Sequence, residues 1–284
     1  MKFGTGLSFT AMKNDAASIR EFARKLDSEG MDYMTLAGHL LSAPADSYPG
    51  RPNVTYVGPF REPFVLFAHL AALTDRLQFF TAIHILPEMP TALVAKQAAE
   101  LAIFSDNRFN LGVGISWNEY EYVALGQDVH TRGRRLAEQI TLLRRLWTEP
   151  FVTFEGRFHK LENIGLNQLP SKAVPVWMGG GTDEKVMRRI ARLADGWMPS
   201  GDPTEHMPRL QGYLKDEGRD PASFMMMGRL NGAGGPEDWK AQAHHLKEVG
   251  ATHLTIGATP DATPAQELET ALRVRETLAK EPGL

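Results

Sequence analysis

Two histidines follow predicted strands, at positions where a side chain can exchange a proton with a bound ligand. His39 comes directly after the strand-like stretch DYMTLAG, and His84 lies within RLQFFTAIHIL. An imidazole whose pKa is near neutrality can act as a general acid or base. We therefore consider both as candidates for proton transfer and favour His39. A surface or core role is the expectation for four other histidines: His69, His206, His244 and His253.

The stretch SWNEYEY, residues 116–122, has two interpretations. Asn118 can cap a helix whose first turn is acidic, with Trp117 packed beneath it. Alternatively, Trp117 forms an aromatic wall and Asn118 presents its amide to a heterocyclic ligand. The residues alone do not separate the two.

Three consecutive glycines, Gly179, Gly180 and Gly181, occur in PVWMGGGTDEKV, between a predicted strand and a predicted helix. Amides at a helix N-terminus without an obstructing Cβ can bind an anion. Thr182 adds a hydroxyl group and can serve as the N-cap, but the acidic residues 183 and 184 would repel a phosphate. The run matches neither GxGxxG nor GxxxxGK. A phosphate cradle and a flexible joint both remain open.

The elements that would position these residues alternate between short apolar strands and amphipathic helices. Over the 284 residues we count eight such units and no break in composition, so we predict one domain spanning 1–284. Eight strand-helix units predict a TIM (β/α)8 barrel, whereas five or six would leave an open doubly wound sheet. In a barrel the active site lies at the carboxyl ends of the strands.

Composition excludes several kinds of site. The chain has no cysteine, so disulfides, thiolate nucleophiles and cysteine metal sites are excluded. The net charge of −3 and the lack of long basic runs argue against nucleic acid as a partner. No apolar stretch is long enough to span a membrane, and the first residues do not form a signal peptide. We expect a cytoplasmic protein without a metal site, and a homodimer is the candidate assembly.

Three segments carry a resemblance to a known family: FSDNRFNLGVGISWNEYEYVALG, RGRRLAEQITLLRRLW and PVWMGGGTDEKVMRRIARLADGW. In their order and spacing the chain resembles the bacterial luciferase-like superfamily, and within it the branch of coenzyme F420-dependent oxidoreductases. The resemblance implies a luciferase-like barrel with insertions at the C-terminal face, one of them near strand seven. It also implies a deazaflavin, F420, lying across that face, with FMN as the alternative cofactor.

The resemblance also implies roles for individual residues. The glycine run would bind the cofactor phosphate, and a non-proline cis peptide at Ala82–Ile83 would support the central ring. His39 would handle the proton of hydride transfer. Relatives often have an acidic residue where this chain has Gly38, so the imidazole would lack that partner. The full expected cofactor site is Gly38, His39, Thr81, Ala82, Ile83, Trp117, Asn118, Gly179, Gly180, Gly181 and Thr182.

The resulting hypothesis is an oxidoreductase that transfers a hydride between F420 and a small organic substrate. An FMN-dependent monooxygenase and a non-catalytic flavin-binding protein are the alternatives. We expect the proline-rich segment 40–62 to cover the substrate. The groups expected to select that substrate or to line the pocket, besides Trp117, are Phe9, Tyr48, Arg51, Tyr56, Arg61, Trp177 and Met178.

Overall fold

The computed structural model describes residues 1–7, 15–42, 60–257 and 262–284. The expectations for Phe9, Tyr48, Arg51 and Tyr56 therefore lie outside the described residues.

Strands and helices alternate along the described chain as the sequence predicts. The strands are β1 (Lys2–Gly6), β2 (Tyr33–Leu36), β3 (Gln78–Thr81), β4 (His84–Ile85), β5 (Phe109–Gly114), β6 (Val152–Glu155), β7 (Lys160–Ile164), β8 (Val176–Gly180), β9 (Gly196–Pro199), β10 (Met225–Asn231) and β11 (His253–Gly257). The helices are α1 (Ala16–Ser28), α2 (Pro63–Ala71), α3 (Thr91–Phe104), α4 (Glu119–Ala124), α5 (Arg132–Thr148), α6 (Glu184–Leu193), α7 (Met207–Asp216), α8 (Pro236–Val249) and α9 (Pro264–Ala279).

The parallel strands close into a barrel. Their order is β3-β2-β1-β11-β10-β9-β8-β5-β4, and a further pairing of β3 with β5 completes the ring. The short β4 continues the third strand, so β3 and β4 together count as one of eight barrel strands. This architecture is a TIM barrel, as predicted, and the open doubly wound sheet is wrong.

Two apolar layers hold the barrel together. The larger lies between strands and helices; Ile19, Phe22 and Leu26 from one face of α1 are buried in it. The smaller layer fills the barrel interior and consists of Tyr33, Phe80, Trp177, Met198 and Met227. The interior is therefore packed at its base, and a ligand can enter only from the rim.

The third barrel strand is interrupted where it pairs with β5. Phe80 pairs with Asn110 before the interruption, and pairing resumes at His84 with Val113. In between, the Thr81 hydroxyl donates to the carbonyl of Gly112 (2.7 Å) and accepts from its amide (2.8 Å). A side chain thus replaces the missing backbone bonds of the ladder.

The interruption holds the cis peptide between Ala82 and Ile83, as the resemblance implied. Two backbone bonds attach it to the segment that follows β2. The amide of Ala82 donates to the Leu36 carbonyl (2.8 Å), and the amide of Gly38 donates to the Ile83 carbonyl (3.4 Å). The end of β2 and the middle of the third strand are therefore joined at the rim.

One expectation about a loop is wrong. Only residues 232–235 separate β10 from α8, so no insertion lies next to strand seven. Outside the barrel, β6 and β7 form a hairpin whose turn spans 156–159, and the Gly156 amide donates to the His159 carbonyl (2.9 Å) across it.

Among the described residues, no helix combines the length and the apolar character that crossing a bilayer requires.

The contact between Gly112 and Thr81 leaves no space for a side chain. A Cβ at position 112 would overlap the Thr81 carbonyl oxygen and press on Met198. We expect Gly112→Ala to lower the free energy of unfolding by roughly 3 kcal/mol or more, because the backbone of the third strand must move. Urea unfolding followed by circular dichroism measures this change.

Gly212→Ala is the matched control, because a Cβ at this position in α7 meets no atom within 4 Å. This variant should gain about 0.5–1 kcal/mol from its higher helix propensity. Equal effects of the two substitutions would contradict the proposed role of Gly112.

Candidate functional site

A cavity of about 960 Å³ opens at the carboxyl ends of the barrel strands. Its volume lies in the range that encloses small organic ligands and cofactors. Its lining is mostly apolar, with hydroxyl groups from four strands or the loops after them. Its lining includes His39, Ala82, Ile83, Ser116, Trp117, Gly179, Gly180, Gly181, Met198, Ser200, Met227, Arg229 and Thr255.

Seven of the eleven expected site residues line this cavity: His39, Ala82, Ile83, Trp117, Gly179, Gly180 and Gly181. The other four lie behind them. Thr81 is fully buried on Gly112, Gly38 lies against Pro63, and Asn118 caps α4. Thr182 follows the glycine run without lining the cavity.

His39 is held by a carboxylate that the sequence analysis did not identify. Its Nδ1 lies 2.8 Å from Oε2 of Glu121, which comes from the first turn of α4. The other oxygen, Oε1, accepts from the amides of Leu40 (2.6 Å) and Leu41 (3.2 Å). One buried carboxylate thereby fixes both the imidazole and the backbone that carries it.

The electrostatics of Glu121 favour its charged form. Burial raises the pKa of this carboxyl, but the hydrogen bonds from His39, Leu40 and Leu41 outweigh burial, so the pKa lies below its ordinary value. An anionic Glu121 accepts a hydrogen bond from Nδ1 of His39, which fixes the orientation of the imidazole and leaves Nε2 as the other ring nitrogen.

Glycine at position 38 has a packing reason. A Cβ there would lie 2.7 Å from Cγ of Pro63, the first residue of α2. An acidic side chain would meet the same obstacle. The carboxylate that orients His39 therefore comes from α4, across the rim, instead of from the residue next to the histidine.

Asn118 and Trp117 of SWNEYEY have different places: Asn118 caps a helix, and Trp117 lies at the cavity wall. Asn118 is an N-cap: its Oδ1 accepts from the Tyr120 amide (3.2 Å), and its Nδ2 donates to Glu121 Oε2 (3.4 Å). Trp117 does not pack beneath the helix, because 53% of it is exposed and its ring centre lies 6.0 Å from that of His39. Ser116 precedes both residues and has a left-handed backbone conformation, with φ of 53°. The chain therefore bends here, and Trp117 and Asn118 face different surroundings.

The three glycines have three different surroundings. A Cβ at Gly179 would lie 2.5 Å from Ile83, and one at Gly180 would lie 2.8 Å from Val186. At Gly181 it would meet only the Ser200 hydroxyl, at an ordinary 3.6 Å. Packing explains the first two glycines but not Gly181, whose backbone borders the cavity.

The helix after the glycine run is capped by Asp183, not by Thr182. Its carboxylate accepts from the Lys185 amide (2.9 Å), and α6 begins at Glu184. Both acidic side chains are exposed, as expected for carboxylates turned away from a bound anion.

Residues 1–282 match the sequence model of the luciferase-like monooxygenase family. The chain belongs to this family.

Two sequence relatives illustrate how far the similarity extends. An uncharacterized protein of Mycobacterium tuberculosis is 36% identical over 216 residues, covering 73% of this chain and 74% of that protein. The pyrimidine monooxygenase RutA of Allorhizobium ampelinum is 31% identical over 179 residues, covering 58% of this chain and 48% of that protein.

Two solved structures share the fold at low identity. An F420-dependent secondary alcohol dehydrogenase superposes with a TM-score of 0.79 at 16% identity, covering 98% of both chains. The long-chain alkane monooxygenase LadA superposes with a TM-score of 0.82 at 12% identity, covering 98% of this chain and 92% of that one. Membership of the family establishes that this chain is a luciferase-like oxidoreductase or monooxygenase. Its structural neighbours are named for different chemistries.

Within this luciferase-like barrel, three side chains proposed for the pocket or its chemistry face elsewhere. Trp177 is fully buried in the barrel interior and Met178 points toward the helices, so neither lines the cavity. Met198 and Met227 form the apolar floor instead. His84 is buried against Phe64 and does not line the cavity, and burial lowers its pKa to about 4.

The remaining expectations concern the lid and metals. Arg61, at the described end of the segment 40–62, does not border the cavity. Within the described ranges, no three His, Asp or Glu side chains are grouped as metal ligands.

Glu88 is a second buried carboxyl near the site. It is 2% exposed, and its Oε1 has no hydrogen-bond partner among the described residues. Burial, and next the charge of Glu121, raise its pKa to about 9. Glu88 therefore stays protonated near neutral pH and leaves the negative charge on Glu121.

This assignment predicts how stability depends on pH. The folded protein keeps the Glu88 proton up to about pH 9, while the unfolded chain releases it above its ordinary value of 4.5. Between these values the unfolded state binds fewer protons, so stability falls as pH rises, by at most about 1.4 kcal/mol per pH unit.

Glu88→Gln should remove this fall of stability with rising pH, because glutamine resembles the protonated acid. Relative to wild type, the variant should gain roughly 2–3 kcal/mol between pH 5.5 and pH 8, measured by urea unfolding at each pH. A difference between the two proteins that does not change with pH would show that Glu88 is ionised in the folded state.

Proposed function

We propose that this chain is an oxidoreductase that transfers a hydride between the deazaflavin F420 and a small organic substrate. The observation that carries the proposal is the His39–Glu121 pair at the wall of an otherwise largely apolar cavity. Reduction of an unsaturated carbon centre by hydride needs a proton as its second reactant, and this pair is placed to provide one.

The residues present fit a three-ring cofactor with an anionic side chain. The cavity of about 960 Å³ has room for it, and Ala82 and Ile83 present their cis peptide at one wall. At the other end, Gly181 lacks a side chain for no packing reason, as an anion cradle requires. We assign the ring support to Ala82 and Ile83, and the phosphate contacts to the backbone from Gly179 to Gly181.

The deazaflavin, when bound, supplies a hydride donor or acceptor. His39 exchanges the accompanying proton at Nε2, because Nδ1 is bonded to Glu121. In the reducing direction the substrate gains one hydride and this proton, and His39 recovers its proton from solvent. The carboxylate of Glu121 orients the imidazole for this transfer, and Met198 and Met227 give the cavity an apolar floor.

The second candidate is an FMN-dependent monooxygenase. Its support is the likeness to the pyrimidine monooxygenase RutA, which covers 58% of this chain. The same cradle and ring support fit FMN. The non-catalytic alternative loses its motivation, because the carboxylate missing at position 38 is supplied by Glu121.

Titration of the apoprotein with F420 and with FMN, followed by cofactor fluorescence, separates the two candidates. The proposal expects tighter binding of F420 and anaerobic oxidation of reduced F420 by some member of a panel of aldehydes, ketones and enones. Tight FMN binding without F420 binding, or turnover only with oxygen, would overturn it.

His39→Gln should slow anaerobic hydride transfer by roughly 10²–10⁴-fold, because the general acid is lost. Cofactor affinity should change little, since the glycine run and the cis peptide remain. Stopped-flow oxidation of reduced F420 measures the rate. Glu121→Gln should slow the same transfer by a smaller factor, because a neutral amide replaces the carboxylate that orients the imidazole. An unchanged rate in His39→Gln would remove the assigned role of this residue.

Gly181→Ala tests the phosphate cradle. A Cβ at this position makes only an ordinary contact with Ser200, so stability should change by less than about 1 kcal/mol. Cofactor affinity should fall by about tenfold or more, because the methyl group occupies space next to the phosphate. Gly201→Ala is the control, since a Cβ there meets no atom within 4 Å and Gly201 does not line the cavity. Equal affinities for both variants would place the phosphate elsewhere.

A further inference from the structure

Arg229 brings a permanent charge to the rim of the cavity. It lies near the end of β10, two positions after Met227, which forms part of the cavity floor. Because alternate residues of a strand point to the same side, the two side chains share the inner face of the barrel. Gly228 and Leu230, between and after them, pack outward against the helix layer.

The surroundings of Arg229 hold no opposing charge among the residues that the structure describes. No described carboxylate forms an ion pair with it. Of the described residues lining the cavity, only His39 and Arg229 are ionisable. Thr255 on β11 pairs in register with Arg229, and Ser200 lies on the other side of Arg229, after β9.

A ligand that fills the cavity changes the solvation of this guanidinium. Arg229 is exposed and hydrated as the structure stands. A cofactor and a substrate together would displace much of that water, and a cation that loses water without gaining an anion is strongly disfavoured. A guanidinium offers a planar fork of donors that matches the two oxygens of an oxyanion.

We propose that Arg229 binds an oxyanion of the ligands in this cavity. Two sources share that chemistry: the phosphate group of the cofactor, and a carboxylate or related acid group on the substrate. Strand order is compatible with both. The glycine run on β8 and Arg229 on β10 are separated by β9 alone, or about 10 Å, and Ser200 at the end of β9 lies between them. The assignment to these ligands rests on the proposed function.

The test compares Arg229→Gln and Arg229→Lys with wild type. Arg192→Gln is the control, because it removes the same charge from the exposed side of α6. One arm measures affinity for F420 and FMN and for their phosphate-free forms, deazariboflavin and riboflavin. The other arm measures binding of benzoate and of benzamide to the cofactor-loaded protein, through changes in the visible spectrum of the cofactor.

If the source is the cofactor, Arg229→Gln should weaken the phosphorylated forms at least tenfold and leave the phosphate-free forms within twofold. If it is the substrate, the same variant should weaken benzoate at least tenfold and not benzamide. In both cases Arg229→Lys should retain part of the affinity. An equal loss of affinity for charged and uncharged probes, or no loss of affinity in either arm, would overturn the proposal.

A third measurement keeps this inference distinct from the proposed function. If neither F420 nor FMN binds wild type, the proposed cofactor chemistry fails. Binding of inorganic phosphate and of benzoate to the apoprotein, followed by NMR, still tests Arg229. Loss of both anions in Arg229→Gln but not in Arg192→Gln would support the oxyanion site, and equal binding by the two variants would overturn it.

Discussion

The site depends on the reciprocal hydrogen bonds between the Thr81 hydroxyl and the backbone of Gly112. A closed barrel needs every neighbouring pair of strands to stay in register, yet the third strand leaves its ladder at Thr81 and rejoins at His84. The hydroxyl satisfies both polar groups of Gly112, which would otherwise be buried without partners. The barrel can therefore stay closed while Ala82 and Ile83 turn into its mouth.

That interruption also determines where the histidine lies. The carbonyl of Ile83 accepts from the Gly38 amide, so the segment carrying His39 is attached to the same break. From the other side, Glu121 holds the imidazole and the amides of Leu40 and Leu41. The proposed ring support and the proposed acid are thus parts of one hydrogen-bonded unit, and a displacement of the third strand would be transmitted to His39.

Sequence reasoning identified the elements well, because their patterns are local. The predicted alternation of strands and helices was confirmed. It missed Glu121 because the partner of this carboxylate is 82 residues away and only the closed barrel brings the two together. It misplaced Trp177 because a strand pattern does not tell which of its apolar residues border the mouth and which fill the base.

Packing explains why the residue before His39 is glycine and not an acidic residue. An acidic residue next to the histidine would have been a local solution, but Pro63 occupies the space that its side chain needs. The carboxylate that orients His39, Glu121, is distant in sequence and is buried beside a second carboxyl, Glu88. Two carboxylate anions this close together in a buried environment would repel each other. Glu88 keeps its proton near neutral pH, chiefly because it is buried and also because Glu121 is charged. The hydrogen bond that orients His39 therefore depends on two carboxyls from separate strand-to-helix connections.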